Sequence, residues 1–183
     1  MKNNLFNVIF ILFLITCNSA DNYNVNNDNI SKSIAHLCIN TNDVFGWDIV
    51  GDTCQAYAKK DLYGSIDGPA DQYLENDLVE YSFYNMADSS NDTVEIYVFN
   101  MGTSKNSETI YNQAKNDLTD SLILQNYNDS TAIIGVFGEG TIYELHAKME
   151  CFYFKLTFLK IANNSKAIKI SETFLDLFQT KLR

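Results

Sequence analysis

The strongest constraint on the fold is a pair of apolar, aromatic-rich runs separated by a short polar link. Residues 78–86 read LVEYSFYNM and residues 93–101 read TVEIYVFNM; in the second, Val94, Ile96 and Val98 alternate with Glu95, Tyr97 and Phe99. A period of two sends successive side chains to opposite faces of a sheet. The link 87–92 (ADSSND) has the small, polar composition of a hairpin turn. Strands joined in this way make a mainly antiparallel sheet. Three further strand-like runs, at 131–137, 141–149 and 151–160, bring the expected number to about five.

Helix signals lie between them. In 61–77, Asp67 is placed to cap, Pro69 suits a first turn, and Ala70, Tyr73 and Leu74 share an apolar face. Residues 104–125 read as one helix, with Ser107 as cap and Ile110, Tyr111, Ala114 and Leu118 at helical spacing. Residues 166–182 close the chain as an amphipathic helix. The expected class is therefore α+β: a single domain, 44–183, with a mainly antiparallel sheet packed against helices. A composition of 46% hydrophobic and 13% aromatic residues is enough to build that core.

The N-terminus reads as an export leader. Lys2 precedes the unbroken apolar run 8–15 (VIFILFLI), which is shorter than the roughly 20 residues needed to span a bilayer. Leu14-Ile15-Thr16-Cys17 resembles a bacterial lipobox, in which the cysteine carries lipid; Thr16 departs from the Gly, Ala or Ser usual before that cysteine. A cut after Ala20 would instead release a plain secreted protein. The lipobox reading makes 1–16 a signal peptide and 17–43 a lipidated cysteine with a flexible, Asn-rich tether. The partner it implies is a membrane, reached through a lipid anchor on Cys17. The location it implies is the bacterial cell envelope, outside the cytoplasm.

Charge excludes one class of partner. The formal net charge is −10, and losing Lys2 with the leader makes the mature chain more acidic still. Phosphate backbones repel such a surface, so nucleic acid is not an expected partner. Of the remaining cysteines, Cys38 and Cys54 are the candidate disulfide. A bridge there closes about 17 residues and would stabilise by roughly 3 kcal/mol. The alternative is that Cys38, Cys54 and Cys151 are all small buried hydrophobes. No CxxC spacing occurs, and neither a metal nor a cofactor is expected.

Asp67, Asp71 and Glu75 recur every fourth residue and fall on one helical face. Three carboxylates at that spacing reach too far for one cation, so a solvated acidic face is the expectation. His36 and His146 are the two histidines, and a His146–Cys151 nucleophile pair is set aside because a tight hairpin explains both residues more simply.

Two motifs carry a resemblance. Gly46-Trp47 is followed by Leu62-Tyr63-Gly64-Ser65-Ile66-Asp67-Gly68-Pro69-Ala70-Asp71-Gln72-Tyr73-Leu74, then by Asn100-Met101-Gly102-Thr103-Ser104-Lys105-Asn106. The chain thereby resembles a bacterial envelope family catalogued as domain of unknown function 6599, departing from it at Asp67, where Asn is usual, and Pro69, where Gly is usual. The resemblance implies a compact, PsbP/Mog1-like α+β domain, and it brings no catalytic residue or cofactor. Its signature segment is Trp47, Tyr63, Asp67, Gly68, Asp71 and Tyr73. The functional expectation is an envelope lipoprotein with a non-catalytic domain that binds a protein or small ligand. The competing expectation is an envelope hydrolase or other enzyme with an acidic site around Asp67, Asp71 and Tyr73.

Overall fold

The computed structural model describes residues 33–66, 70–127, 130–137, 142–161 and 163–183. The expected leader, Cys17, Asp67, Gly68 and the first half of the expected tether lie outside them. Eight strands form one sheet: β1 (Trp47–Val50), β2 (Tyr57–Ala58), β3 (Glu80–Asp88), β4 (Thr93–Asn100), β5 (Thr119–Tyr127), β6 (Ser130–Phe137), β7 (Ile142–Met149) and β8 (Phe152–Leu159). Their order is β1-β3-β4-β8-β7-β6-β5, with β2 pairing beside β1 on β3, and every pairing is antiparallel.

This corrects the expected five-strand α+β domain. The architecture is a β-dominated, eight-stranded antiparallel sheet on which α1 (Ala70–Glu75), α2 (Ser104–Lys115) and α3 (Asn164–Leu182) are laid. Part of the discrepancy comes from the run read as helix 104–125. The helix stops at Lys115 with Asn116 as its C-cap, and Asp120 takes a positive φ of 47° at the start of β5. Leu122-Ile123-Leu124 continues the apolar pattern but belongs to an edge strand, where a short apolar run has no period to separate strand from helix. The other two strands, β1 and β2, are four and two residues long. Runs that short carry too little pattern to read.

Local chemistry explains the connections. The Asp88 carboxylate closes the β3–β4 hairpin by accepting from the backbone N–H of Ser90 at 2.8 Å and of Asp92 at 3.0 Å. Helix α2 is capped by Thr103, not Ser107: the Thr103 hydroxyl accepts from the Asn106 N–H at 3.2 Å. Just before it, Asn100 Oδ1 accepts from the Gly102 N–H at 3.0 Å and Asn106 Nδ2 donates to the Met101 carbonyl at 3.1 Å. Gly102 has φ +71°, and an added Cβ would stand 3.2 Å from the Val79 side chain. The motif from Asn100 to Asn106 is thus a strand-to-helix turn that satisfies its own backbone.

Helices lie on both faces of the sheet. Helix α3 lays Ala167, Ser171, Phe174, Leu175, Phe178 and Leu182 on one face, where Phe178 meets Phe154 at 4.5 Å between ring centroids. Trp47 joins that core edge-on to Phe174 at 5.7 Å. So do Ile34, Leu37 and Ile39, each fully buried. The chain from Ser33 onward is therefore part of the folded domain, and the boundary expected at Val44 moves toward the N-terminus. Cys38 and Cys54 are disulfide-bonded, with Cα atoms 5.4 Å apart. On the opposite face, α2 contributes Ile110, Tyr111 and Ala114, while α1 inserts Tyr73 over Phe99 and Tyr153.

Candidate functional site

The second face is incompletely roofed. The order β4-β8-β7 places three rows of side chains across it: Glu95–Thr157–Glu144, Tyr97–Lys155–His146 and Phe99–Tyr153–Lys148. Over the first two rows lies a groove of about 340 Å³, bounded by Ser65, Ile66 and Tyr73 on one side and Ile142 on the other. Its floor is partly aromatic. Tyr97 and Phe99 lie parallel to within 3° at 6.2 Å, and Phe83 stacks on Tyr97 at 4.5 Å.

Beneath this groove runs a buried polar network centred on Glu144, which is 4% exposed. Its Oε1 accepts from Lys155 Nζ at 2.9 Å and from the Thr157 hydroxyl at 3.4 Å. Its Oε2 meets His146 Nε2 at 3.2 Å. His146 Nδ1 lies 2.6 Å from the Tyr153 hydroxyl, which in turn is hydrogen-bonded to Tyr73. An ionised carboxylate only accepts, so His146 donates from Nε2, and in the neutral ring Nδ1 accepts from Tyr153. Each polar side chain of this network therefore has a partner, as burial demands.

The network also sets charge states. Burial pushes the Glu144 carboxyl up, but the hydrogen bond from His146 and the charge of Lys155 outweigh it and hold it below the ordinary 4.5. Burial pushes the Tyr73 hydroxyl far above its usual range, and the Glu144 charge adds to that. Tyr153 is raised further by complete burial, with the neighbouring Tyr73 and Glu144 adding to it.

The residues singled out from sequence do not converge on one site. Tyr73 is 4% exposed and faces the sheet, whereas Asp71 and Glu75 are exposed on the outer side of α1. The Tyr63 hydroxyl, on an exposed side chain, donates to the Asp71 carboxylate. Asp71 and Tyr73 point to opposite sides of a six-residue helix, so the acidic enzyme site expected around Asp67, Asp71 and Tyr73 does not assemble from its described members. Trp47 is core. His36 is exposed in a short 3-10 turn. His146 bonds Tyr153 and Glu144, while Cys151 sits half-buried at the β7–β8 turn, outside the disulfide. Among the described residues, no group of three or more His, Cys, Asp or Glu side chains is placed to hold a metal ion.

The groove residues Glu95, Tyr97, Glu144, Lys155 and Thr157 were not singled out as a group from sequence. A signal was present: Glu144, His146 and Lys148 in β7, and Lys155 and Thr157 in β8, interrupt otherwise apolar strands at positions of one parity, which marks polar groups that share a face. Which strands lie side by side was needed to read it.

No protein-family model matches the chain, and no curated protein matches it. Among solved structures, the chain is similar to the extracellular domain of PknH from Mycobacterium tuberculosis. The TM-score is 0.48 and the identity 10%, over 80% of this chain and 94% of that one. Likeness at that level transfers neither a fold family nor a function.

Proposed function

We propose that this chain is an exported, lipid-anchored envelope protein whose folded domain is a non-catalytic binding module, and that it binds through the groove over β4, β8 and β7. The observation that carries the reading is the state of the ionisable groups at the groove. A general acid or base works best when its pKa lies near the operating pH. Here Glu144 is held low and the Tyr73 and Tyr153 hydroxyls high, each pinned in one protonation state. Their polar atoms are satisfied within the network, so they form a fixed polar layer behind the groove, the setting of a pre-formed ligand site.

Export and anchoring are supported by the leader and by Cys17 at the lipobox-like cut. A disulfide between Cys38 and Cys54 suits an oxidising compartment. Among the described residues no helix is long and apolar enough to cross a membrane, so attachment in this reading falls to the lipid. The resemblance to the envelope family supports the same reading, with Gly102 and Thr103 of its second motif serving the fold rather than chemistry.

Two measurements test this. Cys17→Ala should move the protein from the membrane to the soluble fraction, and the native N-terminus should carry acyl chains at Cys17 by mass spectrometry. An unmodified N-terminus beginning at Asp21 refutes the anchor. For the domain, turnover of any groove-bound compound that Glu144→Gln abolishes would refute the non-catalytic assignment.

A further inference from the structure

We infer that the groove takes a small organic cation, an amine or quaternary ammonium carried on a flat apolar body. The inference rests on the proposed binding groove and specifies its ligand class. Size comes first: about 340 Å³ falls at the lower end of the range of small-molecule sites.

Charge decides the sign. Two carboxylates, Glu95 and Glu144, line the groove with a single ammonium, that of Lys155. Lys155 is committed to Glu144 at 2.9 Å, and Thr157 and His146 complete the Glu144 shell. Glu95 stands two strands away in the same row, across Thr157. Among the described residues no ion pair reaches Glu95. Its half-buried carboxylate therefore leaves the β4 side of the groove negative. The field of Glu144 acts in the same sense, since it helps hold the Tyr73 and Tyr153 hydroxyls protonated. A chain with net charge −10 further concentrates cations at its surface and repels anions.

The apolar part of the ligand follows from the remaining lining. The half-buried Tyr97 on the floor, with Ile66 and Ile142 at the sides, offers carbon surface on the same side of the sheet as Glu95. A carboxylate next to aromatic rings favours an ammonium attached to an apolar body over a bare, strongly hydrated metal ion.

The test uses three compounds of one shape and different charge: benzylamine, benzyl alcohol and benzoate. Each is titrated into the folded domain at low salt, with backbone amide shifts in β4, β7 and β8 as the readout. The expected result is saturable benzylamine binding at least tenfold tighter than benzyl alcohol, with no groove shifts from benzoate. Glu95→Gln, a half-exposed and near-isosteric change, should erase the preference for the amine while leaving the spectrum folded. Benzyl alcohol or benzoate binding as tightly as benzylamine, or an unchanged preference in Glu95→Gln, overturns the cation inference but keeps the groove. Absence of groove shifts from all three overturns the binding groove itself, and the inference with it.

Discussion

Replacing Glu144 by Gln probes the network most directly. The change preserves shape but removes the charge that Lys155, Thr157 and His146 surround. Hydrogen bonds to charged groups contribute about 1.5–3 kcal/mol each, whereas neutral ones contribute about 1. The amide oxygen still accepts from Lys155 and Thr157, but the amide N–H now faces the His146 Nε2–H donor, so that bond is lost along with the charge-assisted part of the others, about 2 kcal/mol in all. For a domain of this size that corresponds to a melting temperature lower by about 4–8 °C. The pH dependence supplies an internal control. The folded pKa of Glu144 lies below 4.5, so its stabilising contribution is fully present above the unfolded value and is lost as pH falls through the folded value. Denaturant unfolding of both proteins, followed by circular dichroism from neutral pH downward, should show a constant gap above pH 4.5 that closes in acid, because a protonated Glu resembles Gln. Equal stability at neutral pH, or a gap that does not narrow in acid, would refute the assigned role of the carboxylate.

Other substitutions separate the remaining elements. Gly102→Val forces a β-branched residue to φ +71° and into contact with Val79; it should destabilise by about 1–3 kcal/mol in thermal unfolding. Tyr73→Ala empties a buried aromatic site stacked on Phe99 at 4.1 Å and should cost about 3–5 kcal/mol, while Asp71→Asn on the outer side of α1 should move the melting temperature by no more than about 2 °C. Breaking the Cys38–Cys54 bridge by Cys54→Ser should lower stability by about 3 kcal/mol, the loop-closure value for residues 16 apart, read by denaturant titration without reductant. Millimolar Ca²⁺ should leave thermal unfolding unchanged, and a saturable site lost in Asp71→Asn would contradict the solvated reading of the acidic face.

Strand periodicity determined much of this fold before any coordinates. The hairpin of β3 and β4 and the strands β6, β7 and β8 follow from alternation and turn chemistry, which are local properties. Helix caps are contacts only three residues long, yet the expectation from sequence puts the α2 cap at Ser107 where Thr103 serves, because several capping residue types adjoin the helix start and only the backbone path selects among them. The acidic balance is a property of the sequence alone, and the proposed leader is read from the sequence alone as well. Strands β1, β2 and β5 are different, because their pattern is too short or too ambiguous and only pairing with β3 and β6 makes them strands. The groove lies furthest from the sequence. Glu95, Glu144 and Lys155 share it because β8 inserts between β4 and β7, bringing together residues separated by about fifty or sixty positions. Strand order is set by how the whole core packs, and no local period encodes it, so the site could be decided only by the tertiary structure.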